Sequence, residues 1–173
     1  MPDEQSGNRK DLEGCVERAL LGLMLEKPFA GISVVQIVKK SGVSRDFFYR
    51  HFKTKMAVAE HCVAEIFMGM EPLKMPDRIT MKCLERDLVH LLVHKDILLL
   101  FHKNGLSGLM WPLIKERFAL PVVGKKITFQ EEYDAVVSVS AFYELIKLWL
   151  DYGMVQTPKY LMGIMVPKRM KSS

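Results

Sequence analysis

From Arg9 to Lys27 the apolar positions fall at Leu12, Val16, Ala19, Leu20, Leu23 and Met24, the spacing of one helical face. Residues 1–8 read as a disordered tail before it. Pro28 ends the helix, because the residue before a proline resists the α conformation. Phe29-Ala30-Gly31 reads as a turn. Ser33 and Gln36 stand at capping-box spacing, so a short helix runs to about Lys40. Gly42 permits the left-handed backbone of a tight turn. Ser44 is the natural N-cap of the next helix, which carries Phe47 and Phe48 inward. Thr54 caps a fourth helix, from about Lys55 to Met70.

Pro72 and Pro76 mark a break and the expected domain boundary. A helix follows from about Asp77 to His94, and another to His102, ended by Asn104-Gly105. Leu106 to Phe118 is helical, with Pro112 interrupting or kinking it. A loop at 119–127 contains Pro121 and Gly124. A long helix then runs from about Thr128 to Tyr152, stopped by Gly153 at the C′ position. Thr157-Pro158, an N-cap with a first-turn proline, opens the last helix. There is no strand-like alternation and no internal repeat. The pattern predicts an all-α chain of about nine helices. A domain at 9–56 leads through a connecting helix, 55–70, to a second at 72–173.

Composition changes this picture little, and charge changes it more. The 173 residues are 49% hydrophobic, enough for packed cores. The formal net charge is +5, which permits a polyanionic partner without requiring one. Its distribution is the stronger signal. Lys39, Lys40, Arg45, Arg50, Lys53 and Lys55 face a single acid, Asp46, so this short stretch carries a charge equal to that of the whole chain. Three cysteines, singly spread, argue against a disulfide framework and for a reducing compartment. The N-terminus is unlike a signal peptide, and the longest apolar runs, such as Ile97 to Phe101, are too short to span a membrane. A cytoplasmic protein without a membrane partner is expected.

Two short helices joined by Ser41-Gly42-Val43 form a helix-turn-helix, in which the second helix enters the DNA major groove. The alternative is an ordinary helical hairpin whose charges solvate one face. The stretch Gly31-Ile32-Ser33-Val34-Val35-Gln36-Ile37-Val38, then Ser41-Gly42-Val43-Ser44, Phe48-Tyr49-Arg50-His51-Phe52 and Lys55, resembles the N-terminal signature of TetR-family transcriptional regulators. The likeness covers about residues 9–70. Val38 and Ser41 depart from the family's usual alanines, and Asp46-Phe47 from its smaller residues.

By position, the resemblance implies phosphate contacts at Ser33, Tyr49, His51 and Lys55. It places Ser44, Arg45 and Phe48 where base edges are reached, Arg45 suiting guanine O6 and N7 and Phe48 a thymine methyl. Lys39 and Lys40 add attraction that salt would screen.

The second domain resembles the family's ligand-sensing and dimerising region in layout. The 128–152 helix mixes small residues with apolar ones. Ser138, Ala141, Phe142, Leu145 and Trp149, with Leu161, Ile164 and Met165 of the last helix, are the expected homodimer interface; an intrachain core is the alternative. Met68, Met70, Met75, Met81, Met110 and Trp111 surround the expected pocket region, and Met81, His94, Met110 and Trp111 are the candidate effector contacts. His90 and His94 have metal-ligand spacing, but no third ligand is fixed, so neither metal nor cofactor is expected. No phosphate-loop, nucleophile-elbow or zinc-protease motif occurs, which argues against an enzyme. The reading is a dimeric regulator of double-stranded DNA, a repressor released from a palindromic operator by an unknown small molecule. The rival is an adaptor of the same fold that acts through a protein partner.

Overall fold

The computed structural model describes residues 4–70, 81–117 and 128–165, which form nine α-helices and no strand. The chain divides into two compact units, residues 1–65 and 66–173. The first holds α1 (Glu4–Glu26), a 3-10 turn (Phe29–Gly31), α2 (Val34–Ser41) and α3 (Arg45–His51). α4 (Lys55–Met68) begins in the first unit and ends in the second. The second holds α5 (Met81–Val93), α6 (Lys95–Lys103), a 3-10 turn (Ser107–Leu109), α7 (Met110–Arg117), α8 (Phe129–Asp151) and α9 (Pro158–Met165).

In the first unit Val16 and Leu20 of α1, Ile37 of α2, Phe48 of α3 and Val58 and Ala59 of α4 are buried together as its core. The caps are those the sequence announces. Ser33 Oγ accepts from the Gln36 amide at 3.3 Å, and the Ser33 amide donates to Gln36 Oε1 at 3.0 Å. Ser44 Oγ accepts from the Phe47 amide at 3.1 Å, and Thr54 Oγ1 from Ala57 at 3.0 Å. Gly42 has φ +73°, a conformation that a side chain would strain. One expectation fails here. α1 begins at Glu4, inside the segment read as a disordered tail, because extending an existing helix adds one hydrogen bond for each residue fixed.

In the second unit α5 packs on α9, and α6 and α7 pack on α8, around Leu88, Leu91, Leu98, Phe101, Ile114, Ile146 and Trp149. Pro112 does not interrupt its helix. It is the third residue of α7, in the first turn, where the missing amide has no intrahelical acceptor to lose. Thr128 caps α8 through a capping box with Glu131. Gly153, at φ +67°, closes α8, and the Met154 amide reaches back to the Trp149 carbonyl at 2.7 Å. The expected break at Pro72 and Pro76, the start of a helix at Asp77 and the 119–127 loop lie outside the described residues.

Asp87 of α5 is the one buried charged side chain among the described residues. Arg117, at the end of α7, grips it with two bonds of 2.6 and 2.7 Å. Removing one member of such a pair leaves the other charge buried without its counter-ion. Asp87→Ala is therefore expected to lower the unfolding free energy by about 3–5 kcal/mol, measured by urea denaturation. A loss within experimental error would mean that the pair is solvated.

Candidate nucleic-acid interface

The two helices of the helix-turn-helix are short, and α3 has only seven residues. Phe48, 0% exposed, and Phe52, also buried, anchor it from beneath, with ring centroids 5.9 Å apart. Ser44 fixes its start, so Arg45 is the first helical residue and is exposed. Tyr49 lies one turn further on and is 54% exposed, which places Arg45 and Tyr49 on one outer face. Arg50 forms an ion pair with Asp46 on the same helix. Phe47 is half-buried rather than turned fully inward, and its ring stacks on His51 with centroids 4.3 Å apart.

Ser33, Lys39, Lys40, Ser44, Arg45 and Tyr49 are all exposed. Lys40 is committed to Glu26 of α1 at 2.5 Å, and this ammonium holds the Glu26 carboxyl below the usual carboxylate range. His51 is half-buried, with Nδ1 3.1 Å from Glu13 Oε1 on α1.

Two expected DNA contacts are not available as such. Phe48 is a core residue with no surface to offer a thymine methyl. Lys55 turns its ammonium inward and donates to the carbonyls of Phe29 at 2.8 Å, Ala30 at 3.0 Å and Ile32 at 2.8 Å. An ammonium has three donors, so none remains for a phosphate. It also lies 4.6 Å from the Phe29 ring centroid. Lys55 thus ties the start of α4 to the segment entering α2. Sequence reasoning missed Glu13, Glu26 and the Asp46–Arg50 pair. Only the last leaves a sequence signal, its i,i+4 spacing.

In the second unit the expected dimer residues divide. Phe142, Trp149 and Leu161 are buried within the unit's own core, and the Trp149 indole donates to the Gln156 carbonyl at 3.1 Å. These three cannot supply area to a partner. Ser138, Ala141 and Ile164 are exposed, while Leu145 and Met165 are half-buried. Sequence reasoning missed the exposed apolar residues Val137, Leu148 and Tyr152 on α8 and Tyr160 on α9. A groove between α8 and α9 is lined by Leu145, Leu148, Tyr152, Tyr160 and Ile164, among others.

The effector candidates do not converge. Met110 is buried, and the Met81 side chain and Met75 lie outside the described residues. His94 touches His90, ring centroids 4.9 Å apart; burial and then that neighbour hold it below the ordinary imidazole range. Trp111 alone lines an open notch, with Gly108, Ser140, Tyr143 and Glu144. No group of three or more metal-ligating side chains occurs among the described residues. Among them, too, no helix is long and apolar enough to cross a membrane.

An exposed face on the second helix of a basic helix-turn-helix is the arrangement that DNA-binding heads of this type present. Residues 18–62 match the family described as bacterial regulatory proteins, tetR family. The fold is similar to the crystal structure of a TetR transcriptional regulator from Streptococcus agalactiae. The TM-score is 0.54 at 20% identity, over 92% of this chain and 94% of that one. Comparison with curated proteins gives no match. The match lies within the first unit, and the chain as a whole has a fold similar to that of the solved TetR regulator.

If Lys55 is an internal tie, Lys55→Met should destabilise the protein by about 1–3 kcal/mol, the scale of buried acceptors left unpaired. Tyr49→Phe should leave stability unchanged. Thermal unfolding of the two variants checks this, and equal melting temperatures would contradict the assignment.

Proposed function

We propose that the protein is a dimeric, cytoplasmic transcriptional regulator, a repressor that leaves a palindromic operator when a small molecule binds its second unit. The observation that carries this is the outer face of α3, where Arg45 and Tyr49 project beside the exposed caps Ser33 and Ser44. Arg45 has the fork that suits guanine, and Tyr49 and the cap hydroxyls suit phosphates. Lys39 adds a non-specific attraction.

A seven-residue helix reads few bases, so two-fold pairing that presents two half-sites about one helical turn apart supplies the rest. The exposed apolar residues Val137, Leu148 and Tyr152 of α8, with Tyr160 and Ile164 of α9, support that pairing. The aromatic pair Trp111 and Tyr143 beside Glu144 supports a planar or amphipathic effector. Such a ligand releases the operator only if it binds the DNA-competent state less tightly.

Fluorescence anisotropy on DNA directly upstream of the protein's own gene, against a shuffled duplex at two salt concentrations, tests the reading. Tight binding to the upstream duplex alone, weakening with salt, is expected. Equal weak binding to both duplexes points instead to an adaptor whose partner is a protein, or to an operator elsewhere. Arg45→Ala should cost about 1–3 kcal/mol in specific affinity and relax the preference at one base position. Ile164→Asp, with Leu148→Asp as a second variant, should shift the protein to monomer in sedimentation velocity. A dimer that survives both changes places the interface elsewhere.

A further inference from the structure

The open notch of the second unit measures about 400 Å³, a volume of ligand size. Gly108 of the 3-10 turn, Trp111 of α7 and Ser140, Tyr143 and Glu144 of α8 line it. Ser140, Tyr143 and Glu144 stand at i, i+3 and i+4, so α8 presents a hydroxyl, a phenol ring and a carboxylate on one side. Trp111 meets Tyr143 with ring centroids 5.0 Å apart and planes at 60°. Neither ring is fully buried, and Glu144 is exposed. Two electron-rich rings and a carboxylate thus border one accessible space.

The chain itself already supplies a cation to these groups. Lys147, one turn after Tyr143, places Nζ 3.2 and 3.0 Å from the two carboxylate oxygens of Glu144 and 5.5 Å from the Tyr143 ring centroid. The Glu144 carboxylate, through its hydrogen bond and its charge, holds the Lys147 ammonium above the ordinary lysine range. Lys147 is 38% exposed and Glu144 65%, so this is an exchangeable surface pair and not a buried tie. A primary ammonium is strongly hydrated and keeps its donors on the carboxylate and on water. An alkylated ammonium is held instead by aromatic faces, with the carboxylate supplying charge.

We infer that the notch takes an organic ammonium with an apolar body, and that Lys147 is a tethered competitor for it. The body lies against Trp111 and Tyr143. The cationic head takes the place beside Tyr143 and Glu144 that the Lys147 ammonium holds in the free protein. A neutral molecule of the same shape cannot replace that ammonium beside the carboxylate, and binds less well. The inference rests on the proposed effector role of the second unit and gives that effector a charge.

The test titrates the whole chain with benzyltrimethylammonium, and with benzyl alcohol as the neutral comparison, and follows the indole N–H signals by NMR at constant ionic strength. The chain has two tryptophans. Trp111 borders the notch, while Trp149 is buried and bonded to the Gln156 carbonyl, which makes it an internal control. The Trp111 signal should move saturably with the ammonium and far less with the alcohol, and Trp149 should stay in place. Glu144→Gln should weaken the ammonium roughly threefold and Lys147→Met should tighten it by about the same factor, the scale of an exposed ion pair. A Glu144–Lys147 pair with a merely structural role would not give opposite signs. Equal responses to ammonium and alcohol, or two variants that change affinity in the same direction, overturn the cation assignment and leave the effector role standing. No Trp111 response to either probe overturns the site. Adding the ammonium to the protein bound to its upstream duplex reads the effector role separately. Release of the duplex supports that role, whereas a filled notch without release keeps the cation site and overturns the role.

Discussion

A helix of two turns is too short to hold its own shape in water, so everything the head does depends on what fixes α3 from outside. Three devices share that work. Phe48 and Phe52 sink into the core beneath it. Ser44 and the left-handed Gly42 set where it starts. Lys55, through three carbonyls, binds the helix that follows α3 to the segment that precedes α2. The exposed face is left to Arg45, Tyr49 and their neighbours because the buried face is over-determined.

Internal pairing also corrects the electrostatics. The formal charge of +5 between Lys39 and Lys55 overstates the field that a polyanion meets. Lys40 is matched by Glu26, Arg50 by Asp46, and the Lys55 ammonium points inward. Lys39, Arg45 and Lys53 remain exposed. Most of these basic side chains stay exposed, and their field is lowered by pairing with carboxylates and, at Lys55, by the inward turn of the ammonium.

The fold was legible because its signals are local. The Ser33–Gln36 box, the Gly42 turn, the Ser44 and Thr54 caps, the Gly153 stop and the Thr157-Pro158 start each concern neighbours in sequence, and each helix forms where they indicate. What was not legible depends on partners distant along the chain. Nothing near Lys55 in sequence says that it will reach residues 29–32. Nothing near His51 names Glu13. On α8 the helical period was clear, but which side meets the unit's own core was not. Phe142 and Trp149 point inward, and the stripe through Val137 and Leu148 points out. Hydrophobic spacing alone does not separate a core face from a partner face when a helix has both.

The central claim, that the outer face of α3 is the DNA surface, is tested most directly by mapping amide chemical shifts of the isotope-labelled protein as duplex DNA is added. The account predicts the largest changes over residues 33–35 and 44–50, with the described helices α5 to α9 little affected. Changes confined to residues 81–165 would contradict it.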